Sequence, residues 1–191
     1  MVDLELRNDT ELYNLLRSPD KAVRERVFVF IYEKYGSKVR DYCLKSYNFD
    51  KNGEDAFHDT IVRFYELIDK YNEVTNIPAF LIRIARNIIL NSKKRNKAIE
   101  YSSPDVEEQA KFEEDDDDDL DDNDLKLKKK ISKAIELLTP EYKEPFLLHM
   151  YADMSYQEIA DELELTVPTV RNRIMRAKIR LRTLLSPYIQ H

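Results

Sequence analysis

Residues 155–185 read SYQEIADELELTVPTVRNRIMRAKIRLRTLL, two short helical periods separated by a turn. Ser155-Tyr-Gln-Glu158 has the spacing of a capping box, in which each side chain satisfies the other residue's orphan amide. Ile159, Ala160 and Leu163 supply the apolar face of a helix ending near Leu163. Glu164 and Leu165 make a tight turn, and Thr166 is a suitable N-cap for a second helix that tolerates Pro168 in its first turn. Val170, Ile174, Ala177, Leu181 and Leu184 then recur at steps of four and three, which sets a buried stripe. The remaining surface carries Arg171, Arg173, Arg176, Lys178, Arg180 and Arg182 with no acid among them. A helix, a turn of three or four residues and a second helix form the geometry that seats the second helix in a DNA major groove. Thr169, Arg171, Asn172, Met175 and Arg176 then reach base edges, while Arg173 and the distal cations meet phosphates. Arg pairs with guanine and Asn with adenine, each good pair contributing roughly 1–3 kcal/mol of discrimination. A solvated bundle face would also be basic, but the joined capping box, turn, second cap and acid-free face favour DNA.

The rest of the chain agrees with a helical protein. Of 191 residues, 42% are apolar, and only two are glycine, which leaves little turn chemistry for a sheet. The first residues, MVDLELR, lack a basic-then-apolar signal, so no secretory peptide is expected. The longest apolar run, Val27 to Tyr32, is too short to span a bilayer. Cys43 is the single cysteine, so neither a disulfide framework nor a thiolate metal cluster is expected, and its expected role is a buried apolar one. His58 and His149 have no suitably spaced second metal ligand and read as structural. The expectation is a cytoplasmic, all-α protein without metal or cofactor and without membrane insertion.

The net charge of −6 is misleading as an average. Residues 1–104 hold 18 basic and 16 acidic side chains, net +2. Residues 105–124 hold one basic and 13 acidic, net −12, including the run Asp115–Asp119. Residues 126–191 hold 12 basic and 8 acidic, net +4. All the excess negative charge therefore lies between two mildly basic parts, and the acidic pI does not argue against nucleic-acid binding. From Ser102 to Asp124 apolar periodicity is nearly absent, so this segment is expected to be a flexible linker extended by self-repulsion. The expected organisation is a helical domain over 1–98, an acidic linker over 99–127 and a helix-turn-helix domain over 128–188.

Five helices are expected before the linker, at about 10–17, 19–35, 37–47, 53–69 and 78–97. The second begins with Ser18 as N-cap and Pro19 at its first position, and Gly36 ends it. The fourth carries Ala56, Ile61, Phe64, Tyr65 and Ile68 on one side. The fifth opens at Pro78, with Phe80, Leu81, Ile84, Ala85, Ile88 and Ile89 on one face. Its other face is basic, with Arg83, Arg86, Lys93, Lys94, Arg95 and Lys97. After the linker, helices are expected at 125–138 and from Thr139 and Pro140 to about Tyr151. Pro145 should bend the latter unless its first turn is 3₁₀.

The stretch LTPEYKEPFLLHMYADMSYQEIADELELTVPTVRNRIMRAKIRLRTLL resembles the C-terminal domain of bacterial sigma factors of the extracytoplasmic-function class, group 4 of the sigma-70 superfamily. Similar helix-turn-helices occur in response regulators. The N-terminal half separates the two, because GEDAFHDTIVRFYELIDKY resembles the family's core-polymerase-binding helix and IPAFLIRIARNIILNSKKR its promoter-opening helix. The resemblance implies a non-enzymatic initiation factor whose partners are core RNA polymerase and promoter DNA, both duplex and melted non-template strand. An anti-sigma factor is a further candidate partner. By motif position, Asp55, Asp59 and Arg63 would dock on the polymerase clamp helices. Asn87 and Asn91 would meet the minus-ten element, and the loop Tyr71 to Ile77 would receive a flipped base. Arg171, Asn172, Met175 and Arg176 would contact the minus-thirty-five element.

Physical chemistry supports the same division of labour. Unstacking a base costs a few kcal/mol, so an opening factor must hold the single strand with aromatic faces and cations. Tyr71, Phe80 and the face bearing Arg83, Arg86 and Lys94 offer both, although Phe80 also suits plain core packing. The chain departs from the family in having His58 at a common glutamine position, no Trp where Tyr65 and Phe80 stand, no glycine in the loop, and Glu164 at a common turn glycine. The aspartates could instead mark a metal-dependent phosphoryl-transfer enzyme, a reading disfavoured because a run of carboxylates in a flexible linker defines no metal site and no Gly-rich phosphate loop is present.

Twenty residues reach up to roughly 66–72 Å when extended. Promoter elements two helical turns apart need roughly 70 Å. The acidic segment is therefore read as a solvated spacer, against a sharper reading in which it imitates nucleic acid. Replacing Asp115–Asp119 with Gly/Ser of equal length separates the two. The spacer reading expects unchanged promoter-independent DNA affinity and unchanged initiation.

Overall fold

The computed structural model describes residues 4–47, 51–100 and 123–189, and within these range ends the side chains of 51, 93–100, 123–126, 128 and 189 are left aside. Eight helices and no strand occur among the described residues, as expected for an all-α chain. They are α1 (Asp9–Leu16), α2 (Lys21–Ser46), α3 (Lys51–Leu67), α4 (Ile77–Glu100), α5 (Asn123–Glu136), α6 (Pro140–Tyr151), α7 (Tyr156–Leu163) and α8 (Val167–Ile189). The chain divides into two compact units, one built on α1–α4 up to Asn96, the other on α5–α8 apart from Met150–Met154. Most of the expected acidic linker, residues 101–122, lies outside the described residues.

In the first unit α1 starts from a capping box that pairs Asn8 with Glu11. It buries Leu12, Tyr13 and Leu16. The next element corrects two expectations. Lys21–Ser46 is one helix, not two, and its N-cap is Asp20, whose carboxylate accepts from the Ala22 amide at 2.8 Å. Ser18 instead accepts from the Asp20 amide at 3.2 Å, which leaves Pro19 ahead of the helix. Gly36 does not break α2 because Ile31, Tyr35, Val39 and Tyr42 carry one buried stripe past it. A helical glycine is disfavoured by about 1 kcal/mol, whereas each large apolar side chain buried contributes about 1.5–3 kcal/mol.

Helix α3 packs on α2, with Phe64 against Phe28 and Phe57 against Tyr32, and Arg40 of α2 ties to Glu54 with both guanidinium and carboxylate forks engaged. The expected stripe shifts here: Tyr65 is 66% exposed, while Phe57 and Thr60 are buried. Thr60 satisfies its hydroxyl by donating to the Ala56 carbonyl at 2.6 Å. Cys43 is buried, and that burial pushes its thiol up to about 12, as suits an apolar filler rather than a nucleophile. Helix α4 begins one residue before Pro78, capped by Asn76, whose side chain accepts from the Ala79 amide at 2.9 Å.

In the second unit α5 and α7 both pack on α8. Helix α6 runs through Pro145, and its first turn carries a 3₁₀-type bond from Tyr142 to the Thr139 carbonyl beside the ordinary one from Lys143. The Ser155–Glu158 capping box forms as read, at 3.2 and 2.8 Å. Helix α7 ends on Glu164 in the left-handed conformation, φ 54° and ψ 43°, and the Leu165 amide donates back to Ala160 at 2.8 Å. Thr166 then starts α8, its hydroxyl accepting from the Thr169 amide at 3.4 Å. Val170, Ile174, Ala177 and Leu181 are buried as expected, but the stripe continues to Leu185, leaving Leu184 half-buried.

Two glycines test this packing in opposite directions. The atoms nearest to a Cβ on Gly36 belong to the Tyr32 ring, at 3.7–3.8 Å, which is ordinary van der Waals contact. Gly36→Ala should therefore stabilise the chain by about 0.5–1 kcal/mol. On Gly53 a Cβ would lie 2.9 Å from the Leu44 Cα, so α2 and α3 approach too closely there for any side chain. Gly53→Ala should destabilise by about 1–3 kcal/mol. Thermal melting reads both, and midpoints that move in the same direction would contradict this account. Since left-handed backbone is disfavoured by about 1–2 kcal/mol for residues with a Cβ, Glu164→Gly should raise stability by roughly 0.5–1 kcal/mol after its larger unfolded-state entropy is counted. A lowered chemical-denaturation midpoint would oppose it.

Candidate polymerase and nucleic-acid interfaces

Asp55, Asp59 and Arg63 lie at steps of four on α3, and all three are exposed on the side away from Ala56, Phe64 and Ile68. The structure thus brings them onto one face. Arg63 pairs with Glu66 at 2.8 Å, so the outward charge of that face is set mainly by its acids. Beside them the sequence reading missed an apolar component. Val62 is 60% exposed, and Tyr65 stands edge-on to Phe28 of α2 at 5.7 Å. On α2 itself Val29 and Tyr32 are also exposed, and Tyr32 lies against Phe57 at 6.2 Å. Exposed apolar residues gathered on one surface mark interaction sites. For Val29 and Tyr32 the signal was present in the unbroken run Val27–Tyr32, which is too continuous for a helix with one buried stripe.

A second constellation forms where α3 leads into α4. Tyr71 is exposed, and its ring meets Phe80 edge-on at 5.0 Å. Phe80 is half-buried and also contacts the rings of Phe64 and Tyr13, each at 6.1 Å, so packing engages much of it. Along α4, Asn87 and Asn91 are exposed and four residues apart, flanked by half-buried Arg83 and Arg86. Lys94 continues this helix, but its side chain, like those of Lys93, Arg95 and Lys97, falls outside the described residues. The loop itself is pinned by Val74, which is buried, while Tyr71, Asn72, Glu73 and Thr75 face solvent.

The third lies on α8. Burial of Val170, Ile174 and Ala177 turns Arg171, Asn172, Met175 and Arg176 outward, all exposed, with Thr169 and Arg173 half-buried at the margins. Arg176 donates to the Tyr142 hydroxyl of α6 at 3.2 Å, a bond that steadies a side chain otherwise free to sweep. Tyr142 was not singled out in the sequence, since its relation to Arg176 is purely spatial. The capping box and the Glu164 turn give α7 and α8 the two-helix arrangement that admits the second helix to a major groove. Among the described residues no group of three His, Cys, Asp or Glu could hold a metal ion, and no helix is long and apolar enough to cross a membrane.

Comparison with known proteins agrees with this geometry. Residues 31–99 match Sigma-70 region 2 and residues 128–181 match Sigma-70 region 4, together more than half of the chain. The chain is 26% identical over 137 residues to the ECF RNA polymerase sigma factor SigE of Mycolicibacterium smegmatis, covering 72% of this chain and 53% of that protein. It therefore spans about half the length of that relative. It is 25% identical over 133 residues to the ECF RNA polymerase sigma factor EcfG of Rhodopseudomonas palustris, covering 69% and 70%. In fold it is similar to the sigma factor RpoE of Bartonella quintana, solved in complex with the anti-sigma factor NepR. That match has a TM-score of 0.61 and 22% identity over 83% of this chain and 96% of that one. Two sigma regions in order, on two helical units whose exposed faces are suited to them, lead to one assignment: the chain belongs to the sigma-70 family of RNA polymerase sigma factors, in its extracytoplasmic-function class.

Proposed function

We propose that this protein joins core RNA polymerase, recognises promoter DNA and promotes strand opening at the start of transcription, acting by binding rather than by catalysis. The observation that carries the reading is the pair of sigma regions on one chain, residues 31–99 and 128–181. In this reading residues 1–98 form the unit that binds core and opens the minus-ten element. Residues 99–127 link the units, and residues 128–188 read the minus-thirty-five element. Asp55, Asp59 and Arg63 supply the polar part of the core-binding face, supported by their shared exposure on α3. The exposed Val29, Tyr32, Val62 and Tyr65 supply its apolar part. Tyr71, Phe80, Arg83, Arg86, Asn87, Asn91 and Lys94 act on the melted strand. Thr169, Arg171, Asn172, Arg173, Met175 and Arg176 meet the duplex upstream. An anti-sigma factor is a third partner in this reading, since the Bartonella protein is solved with one.

Run-off transcription with core polymerase on a promoter library tests the whole. Transcripts above core alone are expected, and their absence would defeat the reading. Asp59→Arg should weaken core binding at least about tenfold, because reversing one charge in a complementary interface sets like charges together. The same variant should leave duplex binding by α8 intact. Arg171→Ala should do the opposite, lowering preference at a base position about tenfold while core affinity is unchanged. Loss of both activities in either variant would point to misfolding.

A further inference from the structure

Most of α1 precedes the interfaces just described, and the region 2 match begins only at residue 31. Its apolar face explains how it packs, through Leu12 and Leu16, but polar groups of Asp9, Tyr13 and the C-cap Arg17 serve something other than the helix. Asp9, Tyr13 and Arg17 follow at steps of four and share one side. Each bonds to backbone between the end of α3 and the first residue of α4. The Tyr13 hydroxyl donates to the Ile68 carbonyl at 3.0 Å, in a buried position. The Arg17 guanidinium donates to the Asn72 carbonyl at 3.3 Å. The Ile77 amide donates to one oxygen of Asp9 at 2.8 Å, while the other oxygen accepts from the Tyr35 hydroxyl. These bonds reach the start, the middle and the end of the connection. The Tyr13 ring also meets Phe80 edge-on, and Phe80 meets Tyr71.

We propose that Asp9, Tyr13 and Arg17 are positioning residues for strand opening, and that α1 holds the Tyr71–Ile77 loop in the shape that receives an unstacked promoter base. The proposal rests on reading that loop as the base-receiving element. The bonds take hold of backbone groups, so the exposed side chains of Tyr71, Asn72, Glu73 and Thr75 stay available for the strand. A loop ordered during folding need not be ordered again when it binds, and this is the advantage of preorganisation. Tyr35 locks the Asp9 carboxylate from behind; burial and the bond to Asp9 hold the Tyr35 hydroxyl well above its ordinary range, so it remains a donor.

The test uses the full chain with core polymerase on a duplex promoter taken from the run-off selection, with permanganate reactivity of thymines reporting the opened stretch. Tyr13→Phe keeps the ring and removes the donor, and Arg17→Ala removes an exposed side chain. Each should reduce opening about three- to tenfold, the range spanned by one net hydrogen bond. Affinity for a single-stranded non-template oligonucleotide should fall in parallel. Core affinity should hold for both variants. The thermal midpoint should hold for Arg17→Ala and fall only by the few degrees that one buried hydrogen bond is worth for Tyr13→Phe. Arg17→Lys should recover part of the loss. Opening that stays at the wild-type level in the double variant, or that falls only in proportion to lost core binding, overturns the proposal. A loop variant, Tyr71→Ala with Glu73→Ala, separates the two layers. If it opens the promoter normally, the base-receiving reading fails and the role of α1 fails with it. If it is defective while the α1 variants are not, the role of α1 alone is wrong.

Discussion

A helix that buries one stripe must present the opposite one, and the exposed surfaces of this chain follow from that constraint. On α8 the stripe is Val170, Ile174 and Ala177, each no more than 1% exposed. Rotating the helix to hide Arg171 or Arg176 would bring those three into water and bury cations without partners. Both changes are unfavourable: apolar surface contributes roughly 25 cal/mol per Å² buried, and an unpaired buried charge is far more expensive. The outward direction of Arg171, Asn172, Met175 and Arg176 is therefore a consequence of core packing. The turn before α8 is held just as firmly, by the Ser155–Glu158 capping box and the backbone bond from Leu165 to Ala160.

The first unit applies the same constraint to longer helices, with a different outcome. Its core excludes Val29, Tyr32, Val62 and Tyr65, which leaves an apolar component among the exposed polar residues of α2 and α3. Such a surface is poorly matched to water and well matched to a protein partner. The face proposed for nucleic acid lacks that character. It combines one exposed ring, one half-buried ring, two asparagines and half-buried arginines, a mixture suited to stacking and phosphate contact. The two faces of this unit differ in chemistry because different helices lend them their leftover sides.

Exposed ion pairs within a single helix have little part in stability here. The pairs Arg7–Glu11, Lys21–Glu25 and Arg63–Glu66 are exposed, and pairs of this kind contribute about 0–1 kcal/mol. The more consequential polar contacts are the few that join distant segments: Tyr13 with Ile68, Asp9 with Ile77 and Tyr35, and Arg40 with Glu54. They hold connections and helix ends in place alongside the apolar packing of Ile68, Val74 and Ile77.

Helix existence, the capping box, the second cap at Thr166 and the outward set on α8 were all legible along the chain. Each depends on residues no more than four apart, so a local period or a short motif carries the information. The shared face of Asp55, Asp59 and Arg63 was legible for the same reason. Other features depend on what packs against a segment. Gly36 reads locally as a stop, yet α2 passes through it because burial on both sides outweighs the propensity. Ser18 and Pro19 read as a helix start, yet Asp20 takes the cap. Tyr65 fits an apolar stripe that α2 leaves uncovered. The grip of α1 on the α3–α4 connection joins residues 55 and 68 positions apart, through backbone atoms that no side-chain pattern reveals. The sequence by itself determined which stretches are helical and, on α8, which side is buried. Only the tertiary structure decided where those helices continue, which apolar residues stay in water and what holds the loop, because these depend on contacts between segments far apart in the chain.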